Sequence, residues 1–260
     1  MCQICYGAQE RGPRMERRAF IAGAAALGLS ACATNPDTGR SQLILVDDAQ
    51  LSQLALQSWT QLRQQTPVWN NAAQQARLER VGRRIAAAAN RQSLQWEFVI
   101  FDRPEKNAFV LPGGKVGFYR GIMELAQNDD QLATVLGHEV AHVVGRHAAE
   151  RYSRAIAQDS ALRVAGAVSD SQILAAALGL GAQVGLSLPF SREQEAEADR
   201  FGVNYMQAAG YRPREAITFW QLMQAGGGAR PPEFLSTHPD PANRITALRD
   251  YINARGWGPV

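Results

Sequence analysis

The amino-acid sequence reads as an α+β fold, mostly helical, in which a small β-sheet lies beside one long buried helix. Three observations carry that reading. Apolar residues recur near helical spacing in several long stretches between residues 47 and 254. Between residues 96 and 119 the pattern changes to short runs rich in Val, Phe, Ile and Tyr, which read as strands. The chain has 260 residues, 46% of them hydrophobic and 20% charged, so it can bury a sizeable core without covalent staples. Neither an internal repeat nor a sharp boundary follows residue 45, and residues 47–260 read as one domain.

The elements follow in order. Residues 47–66 read as a helix capped by Asp47 or Asp48, and residues 72–90 as a second, rich in Ala and Arg and ending at Asn90. Residues 96–101, 108–111 and 115–119 read as three strands, with Pro112-Gly113-Gly114 as the turn between the last two. Residues 129–149 read as a long helix capped by Asn128 or Asp129. Residues 173–190 carry no charge, but three Gly, a Gln and a Pro argue against a spanning helix; they read as a buried helix with a loop, or as a flap facing a membrane. Ser191-x-x-Gln194 is a capping box that starts a helix over about 192–208, ended by Gly210. Pro213 opens a helix to about 224, Gly226-Gly227-Gly228 breaks the chain, and Pro239 or Pro241 opens the last helix, to about 254.

The N-terminus reads as an address. Arg17 and Arg18 precede an apolar run from Ala19 to Leu29, which is too short to span a bilayer comfortably. Leu29-Ser30-Ala31-Cys32 resembles the lipobox of bacterial lipoproteins. That resemblance implies lipidation of Cys32, which becomes the first residue of a mature chain anchored on the periplasmic side of the envelope. Ala33 in place of Asp points to the outer membrane. Residues 1–14 precede a plausible start at Met15 and read as a mis-assigned start; Cys2 and Cys5 have no further ligands nearby. Residues 33–46 read as a linker into the domain. Net charge is +3 and falls towards neutrality once residues 1–31 are removed, which excludes a broad nucleic-acid-binding surface.

The chemistry centres on His138-Glu139-Val140-Ala141-His142, an H-E-x-x-H on an expected helix. Four residues is close to one turn, so both imidazoles project side by side and can share one metal ion, with Glu139 near a metal-bound water. A third ligand is needed. His147 sits one residue before the position a third-His motif requires, and on a continuous helix it lies about 140° from His142; it reads as structural. The better candidate is Glu195 on the capped helix, with Asp199 one turn later to accept the other ring N–H of a ligand His. Glu193 and Glu197 read as a solvated face.

Taken together, HEVAHVVGRH, SREQEAEADRFG and STHPDPANRI resemble the M48 family of zinc metallopeptidases, from NPDTGRSQLILV through most of the remaining chain. The likeness is greatest to the periplasmic, membrane-associated bacterial members and their mitochondrial inner-membrane relative. It implies a zincin-type fold, one zinc ion held by His138, His142 and Glu195, and Glu139 as general base. It also implies a role for His238, either stabilising the oxyanion or occupying the open metal position and holding the enzyme latent; Arg244 would anchor that loop by an ion pair. The expected function is endopeptidase attack on unfolded or damaged envelope proteins, with no nucleic-acid partner. Strand 115–119 is the expected acceptor of an extended substrate, supported by residues 107–111. The rival readings are a strand-binding assembly factor with a latent zinc site and a purely structural zinc domain; the presence of Glu139 favours the enzyme.

Overall fold

The computed structural model describes residues 32–164, 189–225, 234–239 and 243–257. The expected export signal up to residue 31, and residues 173–188 of the expected flap over 173–190, lie outside the described residues.

In chain order the elements are β1 (Cys32–Thr34), β2 (Ser41–Leu43), α1 (Asp48–Gln65), α2 (Ala72–Ala88), β3 (Glu97–Phe101), β4 (Ala108–Leu111), β5 (Lys115–Tyr119), α3 (Arg120–Leu125), α4 (Asp129–Val144), α5 (His147–Val164), α6 (Arg192–Ala208), α7 (Glu215–Ala225), α8 (Phe234–Thr237) and α9 (Arg244–Ala254). Side-chain caps start four of the long helices where the sequence places them. Asp47, Asn71, Asn128 and Ser191 each accept from the backbone N–H three residues on. Gln194 also returns a bond to the Ser191 backbone, completing the capping box.

The three-stranded sheet has the order β3-β5-β4, with β3 parallel and β4 antiparallel to β5. Strand β5 is therefore paired on both sides and cannot take up another strand; the expected acceptor role of 115–119 is corrected, and the open edge on this side is β4. Side chains alternate between two cores. Phe98, Ile100, Val110, Val116 and Phe118 face the main core against α2, α4 and α7. Val99, Phe101, Phe109, Leu111 and Tyr119 face a smaller core closed by Trp59 of α1.

Helix α4 is buried nearly all round, from Leu132 through Val144, as a central core helix must be. It is shorter than expected. It stops at Val144, Arg146 takes a left-handed backbone conformation (φ 52°), and α5 starts at His147 in a new direction. The cause lies far upstream. Asn35 donates to the Val144 carbonyl at 3.0 Å and Gln42 to the Gly145 carbonyl at 2.6 Å, satisfying acceptors that a helix end leaves open. Residues 33–46 are thus not a free linker. They form the β1–β2 hairpin and a short apolar run whose Ile44 and Val46 pack with Leu51, Ala149 and Tyr152.

Helices α4 and α6 cross at Gly137 and Gly202. A Cβ on Gly137 would lie 2.8 Å from the Gly202 carbonyl oxygen, and a Cβ on Gly202 would lie 2.9 Å from the His138 nitrogen. Only glycine at both positions permits that approach, which sets α6 against the His138 turn of α4. No helix among the described residues is long and apolar enough to cross a membrane.

Candidate metal centre

Four side chains from three places in the chain converge. His138 and His142 come from one turn of α4, Glu195 from the first turn of α6, and His238 from the residue after α8. All four are buried. His138 Nε2 lies 3.0 Å from His142 Nε2 and 3.2 Å from His238 Nδ1. The Glu195 carboxylate lies 3.4 Å from each of the two α4 imidazoles and 3.1 Å from His238 Nδ1.

These spacings suit a metal. Four ligands on bonds of about 2.0–2.1 Å in a tetrahedron sit about 3.3 Å apart. The observed separations scatter around that figure. Two imidazole nitrogens facing each other can share at most one proton, so four converging donor atoms are better satisfied by one cation than by each other. The donor set can hold a metal ion.

Around the donors is a polar shell that fixes their direction. Asp199 Oδ1 lies 2.9 Å from His138 Nδ1, on the ring edge away from the cluster. Arg244 donates to Asp199 Oδ2 and to Glu195 Oε2, both at 2.6 Å. The expected ion pair of Arg244 is present, and it clamps Glu195 and Asp199 of α6 rather than the loop alone. His142 Nδ1 lies 2.7 Å from His147 Nδ1, whose Nε2 lies 2.8 Å from Glu197 Oε2. Glu197 is buried, which corrects its reading as a solvated residue; Glu193 is exposed as expected. The sequence signal for Glu197 was its place two residues after Glu195, on the opposite side of α6, and its partner became visible only once α5 turned back.

Aromatic rings wall the cluster. Phe234 stacks on His238 with centroids 4.0 Å apart and Phe190 on His142 at 3.7 Å. Trp220 lies edge-on to His138 and beneath the Arg244 guanidinium. None of the three was singled out by sequence; each lies outside the motifs, and only packing brings it in.

Electrostatics follow burial. Burial pushes the Glu139 carboxyl up to about 8. Its Oε1 is buried with no hydrogen-bond partner among the described residues, and His238 Nε2 is 3.5 Å away. Burial also holds His142 well below the usual range and His238 down at about 4. Burial opposes charge on His138 too, but Glu195 and Asp199 outweigh it and raise that ring to about 9. For Glu195 burial is outweighed by His238 and His138, and the carboxylate is held well below its usual range.

Glu139 and His238 face a cleft of about 210 Å³ whose walls include Asn107 and Val110 at the β4 edge. A second cavity of about 330 Å³, lined largely by apolar side chains such as Leu51, Leu94 and Val143, opens beside His142 and Phe190.

Residues 72–252 match peptidase family M48. The chain belongs to that family. It is 38% identical over 179 residues to the mitochondrial metalloendopeptidase OMA1 of Schizosaccharomyces pombe, covering 67% of this chain and 52% of that one. It is 31% identical over 231 residues to the beta-barrel assembly-enhancing protease of Escherichia coli K12, covering 85% and 47%. It is 32% identical over 238 residues to the mitochondrial metalloendopeptidase OMA1 of Bos taurus, covering 84% and 45%. The chain spans about half the length of these relatives.

Proposed function

We propose that this chain is a zinc-dependent endopeptidase in which His138, His142 and Glu195 hold the metal and Glu139 is the general base. The observation that carries the reading is the convergence of Glu195 on the two imidazoles of the H-E-x-x-H, with Glu139 buried beside them on the cleft. Zinc, when bound, supplies a Lewis acid that polarises a peptide carbonyl and acidifies a water. The chain's own residues do the rest. Glu139 takes a proton from the attacking water and passes it to the leaving amine; a cation in the cluster would favour the carboxylate form that burial alone disfavours. Asp199 and Arg244 keep the His138 ring and the Glu195 carboxylate aimed at the cluster. An extended substrate adds antiparallel to the open edge of β4, its backbone held along Val110 and its side chains in the two cavities.

One observation favours a second state of the same site. His238 Nδ1 stands where a fourth donor would stand. We infer that it closes the site in the resting protein and withdraws when substrate enters, which makes the latent reading a state of the enzyme rather than a rival to it. The apolar cavity suits chains that expose apolar side chains, so the substrates proposed are unfolded or misassembled proteins of the cell envelope. Cys32 opens β1, so an acyl chain there would hold the hairpin directly against a membrane; the anchoring surface proposed is the periplasmic side of the outer membrane. Casein digestion by wild type and by Glu139→Gln tests the enzyme: activity in wild type alone supports it, and equal digestion by both overturns it.

A further inference from the structure

The two metal-facing imidazoles of α4 are supported from behind in different ways. His138 has a carboxylate, Asp199, directly on its Nδ1. His142 has another imidazole there: His147 Nδ1 at 2.7 Å, with Glu197 Oε2 2.8 Å beyond His147 Nε2. Glu197 is itself held by Arg40, whose Nε donates to Glu197 Oε2 at 2.9 Å while both of its terminal nitrogens donate to Glu150, at 3.0 and 2.6 Å.

The protons in this chain are determined by chemistry. With His142 Nε2 turned to the cluster, the one proton of a neutral ring sits on Nδ1 and is donated to His147 Nδ1. His147 then accepts at Nδ1 and carries its own proton on Nε2, which it donates to the Glu197 carboxylate. Every donor points the same way, from the metal-facing ring out to an anion, and the anion is pinned by a guanidinium. The arrangement is built closely: a Cβ on Gly145 would lie 2.4 Å from His147 Nε2, so glycine at the end of α4 is what lets the His147 ring fold beneath it.

We propose that His147 and Glu197, with Arg40 behind them, are positioning residues for His142: an imidazole-to-imidazole relay that fixes the tautomer and direction of that ring and strengthens it as a ligand. The inference rests on the reading of His142 as a metal ligand. It also ties the metal centre to the β1–β2 turn, which supplies Arg40.

The test uses zinc itself as probe, with dissociation constants measured on the full chain by competition with a chromogenic chelator, and thermal midpoints measured on the metal-free protein. His147→Phe fills the space without ring nitrogens and should weaken zinc binding about 10–100-fold. Glu197→Gln should weaken it in the same direction, and Arg40→Ala less. Glu193→Gln, exposed on the same helix, should bind like wild type. A purely structural role would lower the thermal midpoint and leave the zinc affinity of the folded protein alone. Nitrogen-15 spectra of the wild-type rings give a second reading that needs no variant: His142 protonated at Nδ1 and His147 at Nε2. Wild-type zinc affinity in folded His147→Phe and Glu197→Gln, or a His147 proton on Nδ1, overturns the relay. A wild-type protein that takes up no zinc overturns the metal reading and the relay with it, whereas wild type that binds zinc no better than the variants overturns the relay alone.

Discussion

Gly137 on α4 and Gly202 on α6 touch through their backbones, with 2.8 Å between the place a Gly137 methyl would take and the Gly202 carbonyl oxygen. That contact sets the distance between the helix carrying His138 and His142 and the helix carrying Glu195 and Asp199. Alanine at either position gains about 1 kcal/mol of helix propensity. It also forces backbone against backbone, where no rotamer change relieves the strain, at a cost of about 1–3 kcal/mol. The second effect should win. Gly137→Ala and Gly202→Ala should each lower the thermal midpoint and weaken zinc binding together, measured by calorimetry and chelator competition.

Glu139→Gln should leave fold and metal content intact and remove peptide hydrolysis. The side chain is buried with its carboxyl pushed up to about 8, so a neutral isostere replaces a group that burial already disfavours as an anion. Loss of a general base lowers the rate by about 100- to 10,000-fold. Initial rates on casein at equal zinc occupancy check this.

His238→Ala should keep the metal on three donors, bind it more weakly, and expose the fourth corner. A hydroxamate inhibitor, which needs that corner, should bind the variant more tightly than wild type. Equal hydroxamate affinity would show that His238 does not close the site.

Substrate placement on β4 predicts that Val110→Pro, which removes a backbone N–H that lies at the open edge and also acts on the Glu139 carboxyl, raises KM and lowers kcat with little change in zinc affinity. Proline at 116 should instead unfold the sheet, because β5 is bonded on both sides. Steady-state kinetics and circular dichroism separate the two.

Acid stability should depend on the acids behind the site. Burial works against charge on Glu150 and Glu197, but Arg40 and Gln194 outweigh it for the first, and His147, Thr38 and Arg40 for the second; both are held at about 2. A carboxylate depressed in the folded state contributes stability above its unfolded value, near 4.5, and that contribution drains as pH falls towards 2. The thermal midpoint should therefore fall over that window in wild type and fall less steeply in Arg40→Ala, measured by a pH series of melts.

Much of the site was legible because its spacing is local. His138 and His142 lie four apart on a helix, Glu195 and Asp199 repeat that interval, and Ser191-x-x-Gln194 announces where their helix starts. What was not legible is long-range. Helix α4 ends at Val144 because Asn35 and Gln42, more than 100 residues earlier, take its last carbonyls. Without that break His147 projects away from His142, and with it the two rings meet; Glu197 was misread for the same reason, since its partner comes from the turned-back α5. The sheet order was hidden too. Three strands in sequence suggest neighbours in sequence, but β5 inserts between β3 and β4, pairing with both, which leaves β4 rather than β5 at the open edge. The short helices α3 and α8 carry too few residues for a period to show.

The most direct test of the metal centre is zinc content measured together with proteolysis, before and after a chelator. The expected result is one zinc per chain, loss of zinc and casein digestion together on chelation, and return of both when zinc is restored. Digestion that persists after the metal is gone, or a folded chain that takes up no zinc, would contradict it.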